Sequence, residues 1–301
     1  MKLKQLIAGV LATVAMVATF GLVGCGDGKT NNGGNNGGNN GGSSSASSIK
    51  VMKDILLTEE DYAFAIAKEN TTLLTEVNAL LKTWTDDGSL NTLINSYFDG
   101  TATFSYQNKT DAPADADFVM ATNAYFPPFE SKKGNAFVGV DVEIAYKLAT
   151  AMNKTLFVYD MEFDSIISSV QTGESDIGMA GMTVTEKRLQ QVSFATPYYS
   201  SAQVISVLAG DTTFDACKTA ADVETILKAK GSDYKVGTQN GTTGYMYTKG
   251  DVDFGYDGFA NLETKGYTTG ALAMTDLKNG KINAVILDLQ PSLMISASLN
   301  R

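Results

Sequence analysis

The sequence contains no histidine among its 301 residues. Histidine is the commonest general base, proton shuttle and metal ligand near neutral pH, so its absence removes the most frequent route to catalysis or metal binding. Phosphate-binding loops, dinucleotide-binding glycine turns and nucleophile elbows are also missing from the sequence. Catalysis is therefore the less favoured hypothesis, and neither a cofactor nor a metal site is predicted.

Cysteine and basic residues are scarce as well. The two cysteines are Cys25 and Cys217, and because Cys25 is assigned below to a lipid anchor, Cys217 has no partner for an intramolecular disulfide. We interpret Cys217 as a small packing residue rather than a reactive thiol. Lysine and arginine number 23 against 33 acidic residues, a net charge of -10, which excludes the basic surface that nucleic acids require.

The first 25 residues, MKLKQLIAGVLATVAMVATFGLVGC, carry two lysines, an apolar run and small residues that end in a cysteine. This pattern is typical of an export signal. The LVGC at 22–25 fits a lipobox, in which Cys25 is acylated and becomes the new N-terminus. We therefore predict a lipoprotein signal peptide at 1–25 and a bacterial protein anchored by lipid on the extracytoplasmic face of the cell membrane. An ordinary cleaved signal peptide is the alternative.

Residues 26–48, GDGKTNNGGNNGGNNGGSSSASS, are almost devoid of apolar side chains. Such a composition cannot bury a core and predicts a flexible Gly/Asn/Ser tether. About 250 residues follow, which is enough for one large core or two ordinary ones.

From Phe118 onward, strand and helix patterns alternate. FVMAT, TLFVYDM and SDIGMAG predict strands, whereas FVGVDVEIAYKLATAM and FDSIISSVQTG lead into or form helices. The same order returns in YKVGTQNGTTGYMYT, ALAMTDLKNG and INAVILDLQPSLMISASLN. Strands separated by helices indicate parallel sheets covered on both faces. We predict an α/β protein of two lobes, each a mainly parallel sheet flanked by helices; a single large sheet is the alternative.

The stretch AGMTVTEKR is the most informative candidate for binding. Thr183 and Glu186 have the spacing of a capping box, which predicts a helix start directly after a strand. Free N–H groups at such a start, with Arg188 about one turn inside, would form a site for a carboxylate. A capped surface helix with a solvated arginine is the alternative interpretation.

Three further motifs complement that anion site. ATNAYFPPFE places aromatic rings at the C-terminal edge of a strand, where α/β folds bind ligands. QNGTTG, which begins with Gln239, offers N–H groups and the hydroxyls of Thr242 and Thr243. Asp288 ends the apolar strand AVILD, where a buried carboxylate requires a cation. Sites for an anion and a cation beside an aromatic wall match an α-amino acid zwitterion.

These motifs, together with VSFATPYYSS and the run from Phe163 to Arg188, resemble the family 3 extracellular solute-binding proteins, the polar amino-acid receptors of ABC importers. The resemblance covers essentially everything after the tether. It implies a type II periplasmic-binding-protein-like fold with a ligand site in the interlobe cleft. The expected ligand-binding residues are Asn123, Phe126, Phe163, Gly181, Thr183, Arg188, Gln239, Thr243 and Asp288.

The resemblance also implies roles within this set. Arg188 would grip the ligand carboxylate, helped by Thr183 and the backbone at Thr243. Asp288 and the Gly181 carbonyl would hold the ammonium group. The rings of Phe126 and Phe163 would clamp the side chain. The identity of the amino acid does not transfer, because Asn123 stands where several relatives carry an acid.

The order of segments departs from the family. In a typical member of the family, the chain ends with a segment that resembles EEDYAFAIAKENTTLLTEVNALLKTWTDDGSLNTLINSYF. In this sequence that segment lies within 49–98. We interpret this order as a circular permutation; a truncated gene with a duplicated fragment is the alternative. The expected boundaries are 63–197 for lobe 1, 49–57 and 203–301 for lobe 2, and 58–62 and 198–202 for two hinge crossovers.

The sequence thus predicts a monomeric receptor that binds a free α-amino acid and delivers it to the permease of an ABC importer. A sensory module that reports the ligand to a signalling partner is one alternative. A dehydratase of cyclic carboxylates on the same fold is another, and it would need a pocket acid such as Glu130 or Glu162.

Overall fold

The computed structural model describes residues 48–301. The predicted signal peptide at 1–25, including Cys25, lies outside these residues, as does the predicted tether apart from Ser48. No helix within 48–301 combines the length and the hydrophobicity needed to cross a bilayer.

The described chain alternates between strands and helices, as the sequence predicts. The strands are β1 (Ile49–Val51), β2 (Glu60–Tyr62), β3 (Ala65–Ile66), β4 (Phe118–Thr122), β5 (Tyr125–Phe126), β6 (Glu130–Lys133), β7 (Ala136–Val138), β8 (Leu156–Asp160), β9 (Ile177–Gly178), β10 (Ser193–Phe194), β11 (Tyr199–Ser201), β12 (Gln203–Leu208), β13 (Lys235–Gln239), β14 (Glu263–Tyr267) and β15 (Ala284–Asp288). The α-helices are α1 (Thr71–Asp86), α2 (Ser89–Phe98), α3 (Val140–Ala151), α4 (Ile166–Thr172), α5 (Glu186–Leu189), α6 (Ala220–Lys228), α7 (Thr243–Lys249), α8 (Gly270–Lys278) and α9 (Leu289–Leu299).

Two five-stranded sheets form the framework. Sheet I has the order β1-β12-β15-β13-β14, and sheet II has the order β10-β3-β9-β4-β8. The neighbouring strands β15, β13 and β14 in sheet I, and β9, β4 and β8 in sheet II, pair in parallel. The other two strands of each sheet form antiparallel pairs, so that β12 in sheet I and β3 in sheet II run opposite to the remaining four strands. The predicted α/β class is confirmed, and both sheets are mixed rather than wholly parallel.

The chain passes between the two sheets twice within 48–301. It leaves sheet I after β1 and enters sheet II at β3, and it returns from β10 to β12. The two passages run side by side, because β2 pairs with β11 in a small antiparallel sheet in which Tyr62 faces Tyr199. Short paired segments of this kind are suited to act as a hinge between two bodies.

The central strands have the composition that their position requires. All five residues of β4, FVMAT, are buried, as are all five of β15, AVILD. Strands covered on both faces favour continuous apolar runs over alternation. Their C-terminal ends are therefore the places where buried polar side chains can meet.

Gly139 fixes the start of α3 against the loop before β6. Its φ angle is 138°, and a Cβ at this position would lie 2.1 Å from the carbonyl oxygen of Phe129. Only glycine tolerates both the backbone conformation and the close approach.

One helix start differs from its prediction. The N-cap of α5 is Thr185, whose side chain accepts from the backbone N–H of Arg188 at 3.2 Å, and Thr183 does not cap the helix. The expected capping box of Thr183 and Glu186 is therefore wrong. The reason is that the hydroxyl of Thr183 binds a buried carboxylate instead.

Candidate functional site

One small cavity lies where the C-terminal ends of the parallel strands of both sheets meet. The free space in this conformation is about 10 Å³ for the centre of a water molecule, which is room for about one water, so a larger ligand could enter only after the cavity walls move apart. All nine residues expected from the sequence line this central cavity, and Glu130, Ala180 and Thr242 join them.

The fold explains how residues so distant in sequence converge. Asn123 follows β4, Gln239 ends β13, and Asp288 ends β15. Ligands of open α/β sheets bind at the carboxyl ends of strands, because loops diverge there and leave a crevice. The location of the central cavity follows from this topology.

Arg188 is a buried cation without a carboxylate partner. Its side chain is 3% exposed, and its guanidinium donates to the carbonyls of Thr183 at 2.7 Å and Gly241 at 2.9 Å. No carboxylate of residues 48–301 lies within 4.0 Å of it. Burial lowers the pKa of Arg188 to about 10, so the side chain remains charged at neutral pH.

Asp288 is the acidic counterpart. It is 3% exposed, and its Oδ1 accepts from the hydroxyl of Tyr62. Burial, with a smaller contribution from the carboxylate of Glu60, raises the pKa of Asp288 to about 7. A cation that entered the cavity would stabilise the ionised form of Asp288 and lower this pKa.

Glu60, which was not predicted as a site residue, organises the hydroxyls of the cavity wall. Its Oε2 accepts from Thr183 at 2.6 Å and from Thr243 at 2.8 Å. Its Oε1 accepts from Thr58 at 2.7 Å and from Gln203 at 3.1 Å. A hydroxyl has one proton to donate, so in this conformation neither threonine has a hydroxyl proton available for a ligand carboxylate.

Asn123 and Gln239 bind one another across the central cavity. The amide of Gln239 donates to Oδ1 of Asn123 at 3.0 Å. Asn123 in turn donates to the carbonyl of Met161 at 2.8 Å, and Gln239 accepts from the backbone of Gly270 at 3.2 Å. Both amides are thus occupied by protein groups in this conformation.

Aromatic rings and a glycine complete the wall. A Cβ on Gly181 would lie 2.8 Å from the ring of Phe126, so the ring packs directly on this backbone. The guanidinium of Arg188 lies 5.4 Å from the ring centroid of Phe163, within the range of a cation–π interaction. The structure therefore brings both expected aromatic residues to the cavity.

Comparison with known proteins identifies the family. The family described as "Bacterial extracellular solute-binding proteins, family 3" matches residues 118–290. The chain belongs to this family. The resemblance noted in the sequence is thereby confirmed, although the match does not include 49–98.

Individual relatives of this solute-binding protein agree with that assignment. ABC transporter arginine-binding protein 1 of Escherichia coli K12 is 36% identical over 170 residues, which cover 56% of this chain and 62% of the relative. This chain thus spans about three fifths of the length of that relative.

Two solved structures are also similar to this solute-binding protein. An ancestral arginine-binding protein bound to arginine has a TM-score of 0.51 at 32% identity, with 60% of this chain and 74% of that chain covered. An ancestral amino acid-binding protein, a precursor of cyclohexadienyl dehydratase, has a TM-score of 0.52 at 27% identity, with 60% and 74% covered.

Of the two acids considered for catalysis in the sequence of this solute-binding protein, only one reaches the cavity. Glu130 is completely buried and lines the cavity, whereas Glu162 is exposed on the surface. The motif PPFE places Glu130 next to the expected aromatic residues, so the sequence could suggest Glu130 as a pocket acid. Its complete burial could not be predicted, because that burial depends on contacts between segments that are distant in the chain.

Proposed function

We propose that this protein is an extracytoplasmic receptor that captures a free α-amino acid in the central cavity and delivers it to an ABC importer. The observation that carries the proposal is that Arg188 and Asp288 line one cavity and yet form no salt bridge with each other. An α-amino acid has opposite charges on one small framework and can satisfy both side chains at once. Buried charges that lack such partners are costly.

Each end of the ligand has a proposed partner. Arg188 retains N–H donors beyond the two that it uses, since a guanidinium has five, and we assign these to the ligand carboxylate. The backbone N–H of Thr243 also faces no partner within α7, because the first N–H groups of a helix are free. The hydroxyl of Thr183, given to the carboxylate in the family-based expectation, is assigned here to Glu60. Asp288 and the Gly181 carbonyl take the ammonium group.

The proposed ligand is a polar α-amino acid. The Escherichia coli relative is named for arginine, so arginine is the first ligand to test. Asn123 carries no charge to neutralise a basic side chain, which favours a neutral polar one. A dissociation constant near micromolar corresponds to about -8 kcal/mol and must include the free energy of lobe closure.

We further propose that acyl chains on Cys25 anchor a monomeric receptor to the cell membrane. The permease of the importer is its proposed partner. The relatives that carry periplasmic or extracellular names support an extracytoplasmic location, and the signal-like N-terminus supports the lipid anchor.

A circularly permuted order of segments is also part of the proposal. Residues 49–98 lie before the family match, but β1 pairs with β12 in sheet I and β3 lies between β10 and β9 in sheet II. Tyr106, in the segment between α2 and β4, is buried and pairs with Phe137. An N-terminal segment that supplies strands to both sheets is what a permutation would produce.

Thermal unfolding with each of the twenty amino acids tests the proposed function. A ligand at one hundred times its dissociation constant should stabilise the protein by about 2.7 kcal/mol. Arg188→Ala should weaken binding by roughly 2 to 5 kcal/mol, because the carboxylate of the bound amino acid would then be buried without its main partner. Lys82→Ala, which removes an exposed cation on α1, is the control and should bind normally. No response to any amino acid, or unchanged affinity in Arg188→Ala, would refute the proposal.

A dehydratase of cyclic carboxylates remains a second candidate because Glu130 places a buried carboxyl in the cavity. Incubation with prephenate or arogenate, followed by ultraviolet absorbance, decides between the two. The receptor proposal predicts no change in the spectrum.

A further inference from the structure

Tyr62 is a completely buried residue at the end of β2, and its hydroxyl donates to Oδ1 of Asp288. Asp288 ends β15 of sheet I and lines the central cavity. Tyr62 itself is not part of the cavity lining. The hydroxyl therefore contacts a proposed ligand-binding carboxylate from the protein side, without contacting the ligand.

The backbone on both sides of Tyr62 is fixed to the segment that follows β9 of sheet II. The N–H of Ala63 donates to the carbonyl of Met182 at 3.1 Å. The N–H of Val184 donates to the carbonyl of Asp61 at 2.9 Å. The side chain of Tyr62 thus extends from a backbone held beside sheet II to a carboxylate of sheet I.

The ring of Tyr62 packs against the backbone of Gly181. A Cβ on Gly181 would lie 3.2 Å from this ring, which is closer than most Cβ atoms approach a neighbour. The ring of Phe129 meets the ring of Tyr62 edge-on, with the centroids 5.2 Å apart, and so fixes its orientation. Tyr62 therefore contacts both residues that the proposed function assigns to the ligand ammonium group, Gly181 through its ring and Asp288 through its hydroxyl.

Asp288 occupies a position where another conformation of its side chain is expected. It is the N-cap of α9, and an aspartate at an N-cap usually accepts a hydrogen bond from an N–H of the first turn. The side chain of Asp288 makes no such bond. The hydroxyl of Tyr62 instead holds the carboxylate in a conformation in which it lines the cavity.

A purely structural role for this contact is the simplest explanation to consider. A buried tyrosine hydroxyl needs a hydrogen-bond partner, and Asp288 supplies one. This need does not explain why the partner is a carboxylate that lines the cavity and leaves its own helix uncapped. A structural role also predicts that the contact has no influence on the charge of Asp288.

We propose that Tyr62 is a positioning residue for the ligand ammonium group: it holds the carboxylate of Asp288 in the conformation that lines the central cavity, while its ring supports the backbone of Gly181. This inference rests on the proposed function. Because β2 belongs to one of the two passages between the sheets, the residue that orients Asp288 is also part of the proposed hinge.

The hydrogen bond from Tyr62 favours the ionised form of Asp288. Burial, with a smaller contribution from the charge of Glu60, raises the pKa of Asp288 to about 7, and the bond from Tyr62 opposes that rise. Burial raises the pKa of Tyr62 well above its ordinary value, so its hydroxyl remains a donor while Asp288 titrates. Loss of the hydroxyl should therefore raise the pKa of Asp288.

Other titratable groups also act on Asp288. They are Glu60 on β2, Glu130 on β6, Arg188 on α5, Tyr199 on β11 and Tyr256 before β14. The change Tyr62→Phe leaves all of them in the chain. A shift in the titration of Asp288 in this variant therefore reports the lost hydroxyl.

Calorimetric titration of Tyr62→Phe across the range from about pH 5.5 to 8.5 tests the proposal. The probe is the amino acid of the panel of twenty that binds the wild-type protein most tightly. Tyr62→Phe should bind about 10-fold more weakly at pH 7, the lower end of the range for losing a hydrogen bond to a charged group. The midpoint of the rise in affinity with pH should move upward by about one unit.

Tyr97→Phe is the matched control. The hydroxyl of Tyr97 on α2 also donates to a carboxylate, that of Glu143 at 2.7 Å, and neither residue lines the cavity. This variant should match the wild-type protein in affinity and in midpoint. Unchanged affinity in Tyr62→Phe, or a loss that is equal at every pH, would overturn the inference while leaving amino-acid binding intact. Failure of the wild-type protein to bind any amino acid would instead overturn the proposed function.

A second substitution decides the question if Tyr62→Phe fails to fold. Tyr62→3-fluorotyrosine keeps the ring and the hydroxyl, but its phenol is a stronger acid and therefore a stronger hydrogen-bond donor. The midpoint should then move to lower pH, because the stronger donor stabilises the ionised form of Asp288 further. A midpoint equal to that of the wild-type protein would overturn the inference.

Discussion

The amide of Gln239 donates to Oδ1 of Asn123 at 3.0 Å and so joins the two sheets across the central cavity. Asn123 follows β4 in sheet II, and Gln239 ends β13 in sheet I. The guanidinium of Arg188 makes a second such link to the carbonyl of Gly241. The described conformation is therefore closed around the cavity, and the bonds that close it belong to the residues expected to bind the ligand.

Breaking the amide bridge should favour an open conformation. Asn123→Ala removes the bond to Gln239 and should shift the balance between closed and open forms by about 1 kcal/mol, or roughly fivefold. Small-angle scattering of the ligand-free variant should show a larger radius of gyration. Asn261→Ala is the matched control, since it also loses two bonds to carbonyls, those of Leu227 and Lys230, but both lie on one side of the cavity. An equal radius in both variants would show that the bridge has no part in closure.

Loss of the charge at Glu60 should destabilise the fold. Glu60→Gln replaces one carboxylate oxygen by an NH₂ group. An NH₂ group cannot accept hydrogen bonds from the threonine hydroxyls or the Gln203 amide that donate to the carboxylate in the wild-type protein. Thermal unfolding should show a loss of roughly 1.5 to 3 kcal/mol, the value for hydrogen bonds to charged groups. Glu59→Gln changes an exposed acid one residue earlier and should have little effect. Equal stability of the two variants would contradict the structural role given to Glu60.

The sequence predicted most of the framework because the buried strands carry strong local signals. FVMAT at β4 matches its prediction residue for residue. By contrast, β14 (ETKGY) was not predicted, because it forms an exposed edge of sheet I with little apolar pattern. Its pairing with β13 depends on neighbours that are distant in the chain.

The site residues also divide into those that the local sequence could suggest and those that it could not. Arg188 and Asp288 could be proposed from the sequence because one follows a strand and the other ends an apolar one. Glu60 could not, because its role depends on Thr183 and Thr243, which lie 123 and 183 residues away. Local spacing also suggested Thr183 as a helix cap, but its hydroxyl donates to the buried carboxylate of Glu60 instead.

The affinity for the amino acid should depend on pH through Asp288. The pKa of Asp288 is about 7 in the ligand-free protein. Lowering the pH therefore protonates its carboxylate and removes the negative charge that pairs with the ligand ammonium group. Affinity should therefore rise with pH and level off above pH 7, with roughly a 20-fold difference between pH 5.5 and 7.5 for one carboxyl.

The stability of the ligand-free protein should change in the opposite direction. Its buried Asp288 has a raised pKa, so the contribution of this group to stability is lost as pH rises from about 4 toward 7. Calorimetric titration and thermal unfolding across this range check both trends. Asp288→Asn should weaken binding and remove this group's share of both pH dependences; an affinity that is flat with pH in the wild-type protein would contradict the role of Asp288.

Restoring the family order of segments should preserve the fold. The side chain of Asn300 binds both backbone groups of Ile49, at 2.8 Å to N and 2.9 Å to O, so a short join is geometrically possible. A chain that begins at 118, runs to 301 and continues through a glycine linker into 48–117 should fold and bind the same amino acid. The fragment 118–301, which lacks β1 and β3, should not fold. A rearranged chain that fails to fold would contradict the proposed permutation.

The most direct test of the account is calorimetry with three forms of the ligand. The amino acid that binds best is compared with its des-amino analogue and with its decarboxylated amine, in the wild-type protein and in Arg188→Ala. We predict that only the intact zwitterion binds near micromolar affinity, that each analogue loses roughly 100-fold or more, and that Arg188→Ala weakens the amino acid but not the amine. Tight binding of the amine, or an equal loss for amine and amino acid in Arg188→Ala, would contradict recognition of the ligand by Arg188 and Asp288.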